Sequence, residues 1–205
     1  MTDTATDTEE RAAQYVARTR VAVERLLEGS SFAEVSVEDI ITEAGMARST
    51  FYVYFTDKRQ MLDVLTTDLL AGALGAVSAW WELSPDADYA TLRAALAGFV
   101  EYFHLHRHLL RAVIDASVAD PHREAGFGLM VRAGEEGIRA HLVTGQRRGS
   151  VTAGIDPDMM ARWLVRLVEQ GLYELVTPAG EERRERLIDA MSMLIWNTLY
   201  RGARA

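Results

Sequence analysis

Apolar residues recur at three- and four-residue spacing along most of this 205-residue chain, and its four prolines fall between these segments rather than inside them. Such spacing places the apolar side chains on one face of an α-helix. Proline lacks a backbone N–H and clashes with the preceding turn, so a proline at a segment boundary indicates where one helix stops and another can begin. No stretch of alternating apolar and polar residues competes with this pattern. The sequence therefore predicts an all-α fold.

Two local signals mark helix starts. Ser36 followed by Asp39 is a variant of the capping box, in which each side chain bonds the other residue's backbone N–H. Asp156 before Pro157 combines a favoured N-cap with proline at the first helical position. A short helix is predicted near residue 51, and the other predicted helices cover residues 11–29, 37–44, 61–81, 89–104, 107–118, 121–147, 157–175 and 181–201.

The net charge of −8 is concentrated at one end of the chain. Residues 1–10 hold four acidic residues and no basic one, so this segment carries half of the excess and is predicted to be a disordered acidic tail. A basic surface is the usual sign of a nucleic-acid-binding protein. Because the acidity is localised, it does not exclude such a surface elsewhere on the molecule.

The absence of cysteine excludes a disulfide framework, a thiolate metal site and a cysteine nucleophile. The first ten residues are polar and acidic, unlike a secretory signal. No window approaches about 18 consecutive apolar residues, so no transmembrane helix and no membrane partner are expected. A cytoplasmic location is the prediction.

The stretch RSTFYVYFTDK, residues 48–58, is rich in aromatic and β-branched residues and by composition could be a strand. A strand here would have no partner nearby, and an isolated strand is not stable in water. Gly45 ends a short predicted helix just before it, and Phe51 and Phe55 are four residues apart, on one face of a helix. The spacing favours two short helices joined by a tight turn, which is a helix-turn-helix.

In a helix-turn-helix, the start of the second helix enters the major groove of DNA. Arg48 can pair with guanine, while Ser49, Tyr52 and Val53 can offer a hydroxyl, a ring edge and contact with a thymine methyl. The residues predicted to face phosphates are Thr50, Tyr54 and Lys58. The plainer alternative is that Tyr52 and Tyr54 cap a small core and that Arg48 is a solvated charge.

Residues 19–62 resemble the DNA-binding region of the TetR family of bacterial repressors. The resemblance runs through Gly29, Phe32, Ser36 to Ile40, Ala44-Gly45, Thr50-Phe51-Tyr52, Phe55, Lys58 and Leu62. It implies phosphate contacts from Ser36, Thr50, Tyr54 and Lys58, and base contacts from Arg48, Ser49, Tyr52 and Val53. Tyr54 stands where the family often has histidine, and its hydroxyl still suits a phosphate.

The resemblance also implies a domain order and a mode of action. Residues 11–57 would form the three-helix DNA-binding domain, and residues 58–205 a helical bundle for ligand binding and dimerisation. A homodimer would bind a near-palindromic double-stranded DNA operator and release it when a small, largely apolar effector enters the bundle. The resemblance implies no cofactor and no enzymatic activity.

The C-terminal half carries aromatic residues on several predicted helices, and apolar pockets between bundle helices are built from such side chains. Any single aromatic residue could equally be plain core. The residues predicted to line an effector pocket are Phe99, Phe103, Trp163 and Trp196, with Glu169 and Gln170 as polar anchors. The residues predicted to form an intersubunit four-helix bundle are Leu164, Leu167, Val168, Leu187, Met191, Leu194 and Leu199.

A different class of protein is suggested by EYFHLHRH. Glu101, His104 and His108 share a helical face, and Glu101-x-x-His104 is half of a di-iron carboxylate pattern. A second Glu-x-x-His, which that chemistry needs, does not occur in the chain. A helical-bundle, metal-dependent enzyme is therefore the alternative to a DNA-binding regulator, and the leading prediction has no metal site.

Overall fold

The computed structural model describes residues 3–84, 87–118 and 121–203, and these contain no strand. The all-α fold predicted from helical spacing is confirmed. The helices are α1 (Asp3–Leu26), α2 (Val37–Glu43), α3 (Arg48–Tyr54), α4 (Lys58–Trp81), α5 (Tyr89–Leu105), α6 (Arg107–Val118), α7 (Pro121–Arg148), α8 (Pro157–Gly171) and α9 (Glu181–Leu199), with a π-helical turn at Leu172–Val176 and a 3-10 turn at Arg201–Ala203.

The first helix begins earlier than predicted. Helix α1 starts at Asp3, so most of the segment predicted as a disordered acidic tail is described as helix instead.

The chain divides into two compact units. The first comprises Met1–Leu69 and His106–Glu124, and the second comprises Leu70–Leu105 and Ala125–Ala205. This division differs from the predicted boundary at residue 57, because the first half of α4 and all of α6 belong with the N-terminal unit. One contact explains the place of α6: His106, only 4% exposed, lies with its Nδ1 2.5 Å from Glu24 Oε1 on α1.

The first unit is built on apolar side chains that the helical spacing placed inward. Val23 of α1, Ile40 of α2 and Phe51 of α3 are fully buried, as are Met61 and Leu65 of α4. The aromatic stretch around Phe51 is therefore helical, as predicted, and its phenylalanines belong to the core.

A tight turn joins α2 to α3. Gly45 adopts a φ of +59°, a left-handed conformation that side chains disfavour. Arg18 of α1 donates from Nη2 to the carbonyls of Ala44 (2.7 Å) and Gly45 (3.0 Å). These bonds satisfy carbonyls that the end of α2 leaves free, so α1 fixes the turn that sets the direction of α3.

The second unit contains two apolar cores. The large core comprises Trp80, Leu92, Leu96, Ile138, Leu142, Val151, Ala161, Leu164, Ile195, Leu199 and Tyr200. The small core comprises Phe99, Val100, Val168, Leu172, Val176 and Ile188. Residues of α5, α8 and α9 contribute to both cores, so these three helices form the centre of the unit.

Helix α4 is long and apolar enough, by length and composition alone, to cross a membrane. Helices that pack inside globular proteins meet the same test. Within the first unit, Met61, Leu65 and Leu69 of α4 are fully buried against protein, which accounts for the apolar character of this part of the helix.

Candidate nucleic-acid interface

The capping box predicted at the start of α2 is present. Asp39 N–H donates to Ser36 Oγ (3.1 Å), and Ser36 N–H donates back to Asp39 Oδ2 (2.8 Å). Ser36 Oγ also donates to the same carboxylate at 2.6 Å, and these bonds lower the pKa of Asp39. Ser36 is exposed, so its hydroxyl is accessible, but its first task is to fix the start of α2.

Helix α3 separates an inward face from an outward one. Phe51 is fully buried, and Phe55 just after the helix is 2% exposed. Arg48, Ser49, Tyr52 and Val53 are exposed, and Val53 reaches 74%. A β-branched apolar residue so exposed on a short helix gains nothing from the protein's own core, whereas it suits contact with a thymine methyl.

Arg48, the first residue of α3, is held by a residue of α2. Its Nη1 lies 3.0 Å from Glu38 Oε2, and its guanidinium lies 5.8 Å from the centre of the Tyr52 ring. The sequence does not predict the contact with Glu38, because the two residues are ten apart and meet only through the geometry of the turn. No spacing rule for side chains on a single helix covers such a pair.

The phosphate-facing residues predicted on α3 are partly buried rather than freely exposed. Thr50 and Tyr54 are both half-buried. The Tyr54 ring stacks on Tyr15 of α1, with centroids 4.7 Å apart. Helix α1 therefore positions Tyr54 as well as the turn before α3. The phosphate contacts themselves stay predictions.

Lys58 has a structural role that the sequence does not predict. Its Nζ donates to the carbonyls of Phe32 and Val35, each at 2.7 Å, and lies 3.5 Å from that of Ala33. The ammonium also lies 4.6 Å from the centre of the Phe32 ring, and its partial burial lowers the pKa of Lys58. An ammonium has three N–H donors. All three donate to carbonyls of the loop before α2. Lys58 could therefore bind a phosphate only by losing one of these hydrogen bonds.

Three of the aromatic residues predicted to line an effector pocket lie in two places in the second unit. Phe99 and Phe103 pack on each other in and beside the small core, with ring centroids 5.2 Å apart. Trp196 packs beside the large core and lines a cavity of about 20 Å³ that Tyr200 and His141 share. A cavity of this volume accommodates about one water molecule, not an effector.

Three of the predicted pocket residues lie on α8, where Trp163 and Gln170 are exposed and Glu169 is half-buried. Trp163 is 72% exposed. Glu169 accepts from Arg166 at 2.9 Å, and Gln170 bonds Glu174, so both are engaged in surface pairs along the chain. The inward positions of α8 are those of the buried Leu164 and Val168, and a helix turns each neighbouring position by about 100° away from them.

The predicted dimer residues divide into two groups. Leu164, Val168 and Leu199 are buried within the chain's own cores. Leu187 and Met191 are half-buried against the small core. Leu167 and Leu194 are exposed, at 46% and 44%. Leu167 shares an exposed apolar face of α8 with Met159 and Trp163, and Leu194 follows the exposed Met193 on α9.

The metal site of the alternative interpretation is not formed. Glu101 accepts from Arg184 Nε at 2.7 Å, and Arg184 Nη1 lies 3.2 Å from His104 Nε2. A guanidinium thus stands between the two side chains, where its charge would repel a cation. His108 belongs to the first unit rather than the second. In the described ranges, no group of three metal-ligating side chains could hold an ion.

Comparisons with known proteins agree with the helix-turn-helix. Residues 21–65 match the model of the family described as bacterial regulatory proteins, tetR family. The HTH-type transcriptional regulator EthR of Mycolicibacterium smegmatis is 34% identical over 108 residues, which cover 52% of this chain and 50% of that protein. EthR of Mycobacterium tuberculosis is 34% identical over 90 residues, covering 43% and 42%. The chain thus spans about half the length of these curated relatives or less.

Solved structures extend the likeness to nearly the whole chain. A putative TetR-family transcriptional regulator from Mesorhizobium loti has a TM-score of 0.71 at 17% identity, covering 93% of this chain and 98% of that one. The TetR-family regulator PfmR from Thermus thermophilus has a TM-score of 0.70 at 19% identity, covering 90% and 100%. At such identities the likeness shows the fold, and the matched helix-turn-helix adds the DNA-binding class. Residues 21–65 thus match the DNA-binding region of the tetR family, and the chain shares the fold of TetR-family transcriptional regulators.

Proposed function

We propose that this DNA-binding regulator is a cytoplasmic, homodimeric repressor that leaves its near-palindromic operator when a small, largely apolar effector binds the second unit. The observation that carries the proposal is the two-sided character of α3. Phe51 anchors the helix in the core of the first unit, while Arg48, Tyr52 and Val53 are exposed beside one another. A short helix anchored in this way can present its outer face to the major groove.

Each exposed residue of α3 suits a defined part of DNA. Arg48 offers a planar guanidinium for guanine, Ser49 a hydroxyl, Tyr52 a ring edge and Val53 contact with a thymine methyl. Ser36, Thr50 and Tyr54 are proposed as phosphate contacts, which fix the register of the protein without reading the sequence. Lys58 is left out of this set because its donors already hold the loop before α2.

The base contact is tested by selecting bound duplexes from a randomised double-stranded DNA library and sequencing them. Arg48→Ala should abolish the preference for guanine at one position of each half-site while retaining weaker binding. A bidentate arginine–guanine pair contributes about 1–3 kcal/mol of discrimination. Arg166→Ala is the matched control, because Arg166 is also an exposed arginine with one carboxylate partner, Glu169. If Arg48→Ala selects the same sequences as the wild type, the proposed docking is wrong.

The homodimer is supported by the exposed apolar face of α8. Met159, Trp163 and Leu167 are spaced by four residues along α8 and are all at least 46% exposed. Contiguous apolar surface of this kind usually marks an interaction site. A two-fold interface would place the same surface of each protomer against its partner, and two copies of α3 could then occupy successive half-sites.

Sedimentation equilibrium tests the interface. Trp163→Asp should shift the protein from dimer to monomer, because a buried charge without a partner opposes association. Leu105→Asp is the control, since Leu105 is 67% exposed and lies outside this face. A Trp163→Asp protein that stays dimeric at micromolar concentration would exclude this face as the interface.

Effector control rests on the apolar composition of the second unit. Its two cores supply the aliphatic and aromatic side chains that bind apolar ligands. The cavity beside Trp196 is too small for such a ligand, so binding at this place would require core side chains to move apart. A ligand that binds this rearranged state better than the DNA-binding state would shift the population away from DNA.

A further inference from the structure

The ion pair between Glu38 and Arg48 lies where the two short helices of the helix-turn-helix meet. Glu38 is in the first turn of α2, and Arg48 is the first residue of α3. Arg48 Nη1 lies 3.0 Å from Glu38 Oε2 although the two side chains are 65% and 67% exposed. The Tyr52 ring lies on another side of the same guanidinium, at 5.8 Å. Two neighbours therefore restrain an arginine that solvent would otherwise leave free to rotate.

The pair leaves most of the guanidinium available. An arginine has five N–H donors in a fixed plane, and Glu38 takes one of them. A bidentate bond to guanine uses two more. Glu38 can thus stay bonded while Arg48 reads a base, and the bond then limits the directions in which the remaining donors point.

The carboxylate also acts through its charge. Glu38 is exposed on the surface that α3 presents, so it repels the phosphates of any DNA that approaches. That repulsion penalises every sequence alike, whereas the orientation of Arg48 favours only a sequence with guanine at the matching position. The second acidic residue of the turn, Asp39, already accepts bonds from Ser36 in the capping box.

We propose that Glu38 is a specificity-determining positioning residue, which orients Arg48 toward guanine and weakens binding to unrelated DNA. This inference rests on the proposed base contact of Arg48. Glu38 acts through Arg48, so its loss should change which bases are preferred rather than whether the protein folds.

The test applies the same library selection to Glu38→Ala, Glu38→Gln, Arg48→Ala and the double variant Glu38→Ala/Arg48→Ala. Glu38→Ala should reduce the guanine preference by about threefold, in proportion to the modest strength of an exposed ion pair. It should also bind a scrambled duplex more tightly at low salt. Glu38→Gln should retain part of the preference, because the amide oxygen can still accept a bond from Arg48. In the absence of Arg48, removing Glu38 should leave the selected sequences unchanged.

Glu43→Ala is the control for a general effect of charge. Glu43 is on the same helix and also pairs with an arginine, Arg25, at 3.2 Å. It should raise affinity for all duplexes without altering base preference. Equal relaxation of the guanine position by Glu43→Ala would overturn the inference, as would an unchanged preference in Glu38→Ala while Arg48→Ala relaxes it. If Arg48→Ala leaves the guanine preference unchanged, the proposed base contact of Arg48 is wrong, which is a different failure from that of the role of Glu38.

Discussion

His141 Nε2 lies 2.8 Å from the hydroxyl oxygen of Tyr200, and this bond fixes the protonation of the histidine. His141 Nδ1 lies 2.8 Å from the carbonyl oxygen of Trp81, which can only accept, so Nδ1 carries a proton. In the neutral ring Nε2 accepts, and the Tyr200 hydroxyl donates to it. That hydroxyl in turn accepts from Trp80 Nε1 at 2.9 Å. When His141 is protonated, Nε2 donates to the Tyr200 hydroxyl instead, and the tyrosine proton loses this acceptor.

This network predicts that the protein loses stability as the pH falls. Burial lowers the pKa of His141 below its ordinary value of about 6.5. The unfolded chain therefore takes up the proton first, so the stabilising contribution is complete above about pH 6.5 and is lost as the pH falls toward the folded-state pKa. One proton contributes at most about 1.4 kcal/mol per pH unit.

Urea unfolding at pH 7, 6 and 5, at one protein concentration, measures the effect. His141→Gln should unfold at lower urea than the wild type at pH 7 but lose less stability on acidification. His108→Gln is the informative control, because burial also lowers the pKa of His108, which is outside this network. If His141→Gln and the wild type show the same dependence on pH, the histidine does not titrate as argued.

The elements that were predicted correctly depend on signals that are local in the chain. The capping box at Ser36 and Asp39, the Asp156–Pro157 start and the spacing of Phe51 and Phe55 are each complete within four residues. Such signals need no knowledge of the tertiary structure. They predict the helices, and through the helix-turn-helix they predict the DNA-binding class.

The features that the sequence does not predict arise where distant segments decide the outcome. Trp163 and Leu164 are neighbours with similar apolar character, yet one is 72% exposed and the other 3%. Which of them faces inward depends on how α8 packs against its neighbours, and composition does not contain that information. The contacts of Lys58 with loop carbonyls 23 to 26 residues away are equally invisible to any spacing rule.

The position of Lys58 predicts a loss of stability when its ammonium is removed. Lys58→Met keeps the length of the side chain but leaves the carbonyls of Phe32 and Val35 without their donor, at a cost of about 1 kcal/mol for a partly exposed site. The melting temperature should therefore fall. Because the proposed phosphate contacts exclude Lys58, the slope of DNA affinity against salt should stay the same.

Arg59→Ala controls for the loss of one positive charge at the start of α4. If Lys58 binds a phosphate instead, both results should differ from those expected here. The melting temperature of Lys58→Met would then be unchanged, and the salt slope would fall by about 0.9. The melting temperature and the salt slope together show whether Lys58 stabilises the loop before α2 or contacts DNA.

Ser192 of α9 offers the last prediction. Its side chain is fully buried on the inward face that includes Ile188 and Ile195, and its hydroxyl has no hydrogen-bond partner among the described residues. A buried hydroxyl without a partner opposes folding. Ser192→Ala should therefore leave the free energy of unfolding unchanged or raise it by up to about 1 kcal/mol.

Ile188→Val, which removes one methylene from the same face, should instead destabilise the protein by about 0.5–1.5 kcal/mol. Urea unfolding of the two variants beside the wild type compares them directly. A loss of more than about 1 kcal/mol in Ser192→Ala would contradict this prediction, because removing an unpaired hydroxyl should not destabilise the protein by that amount.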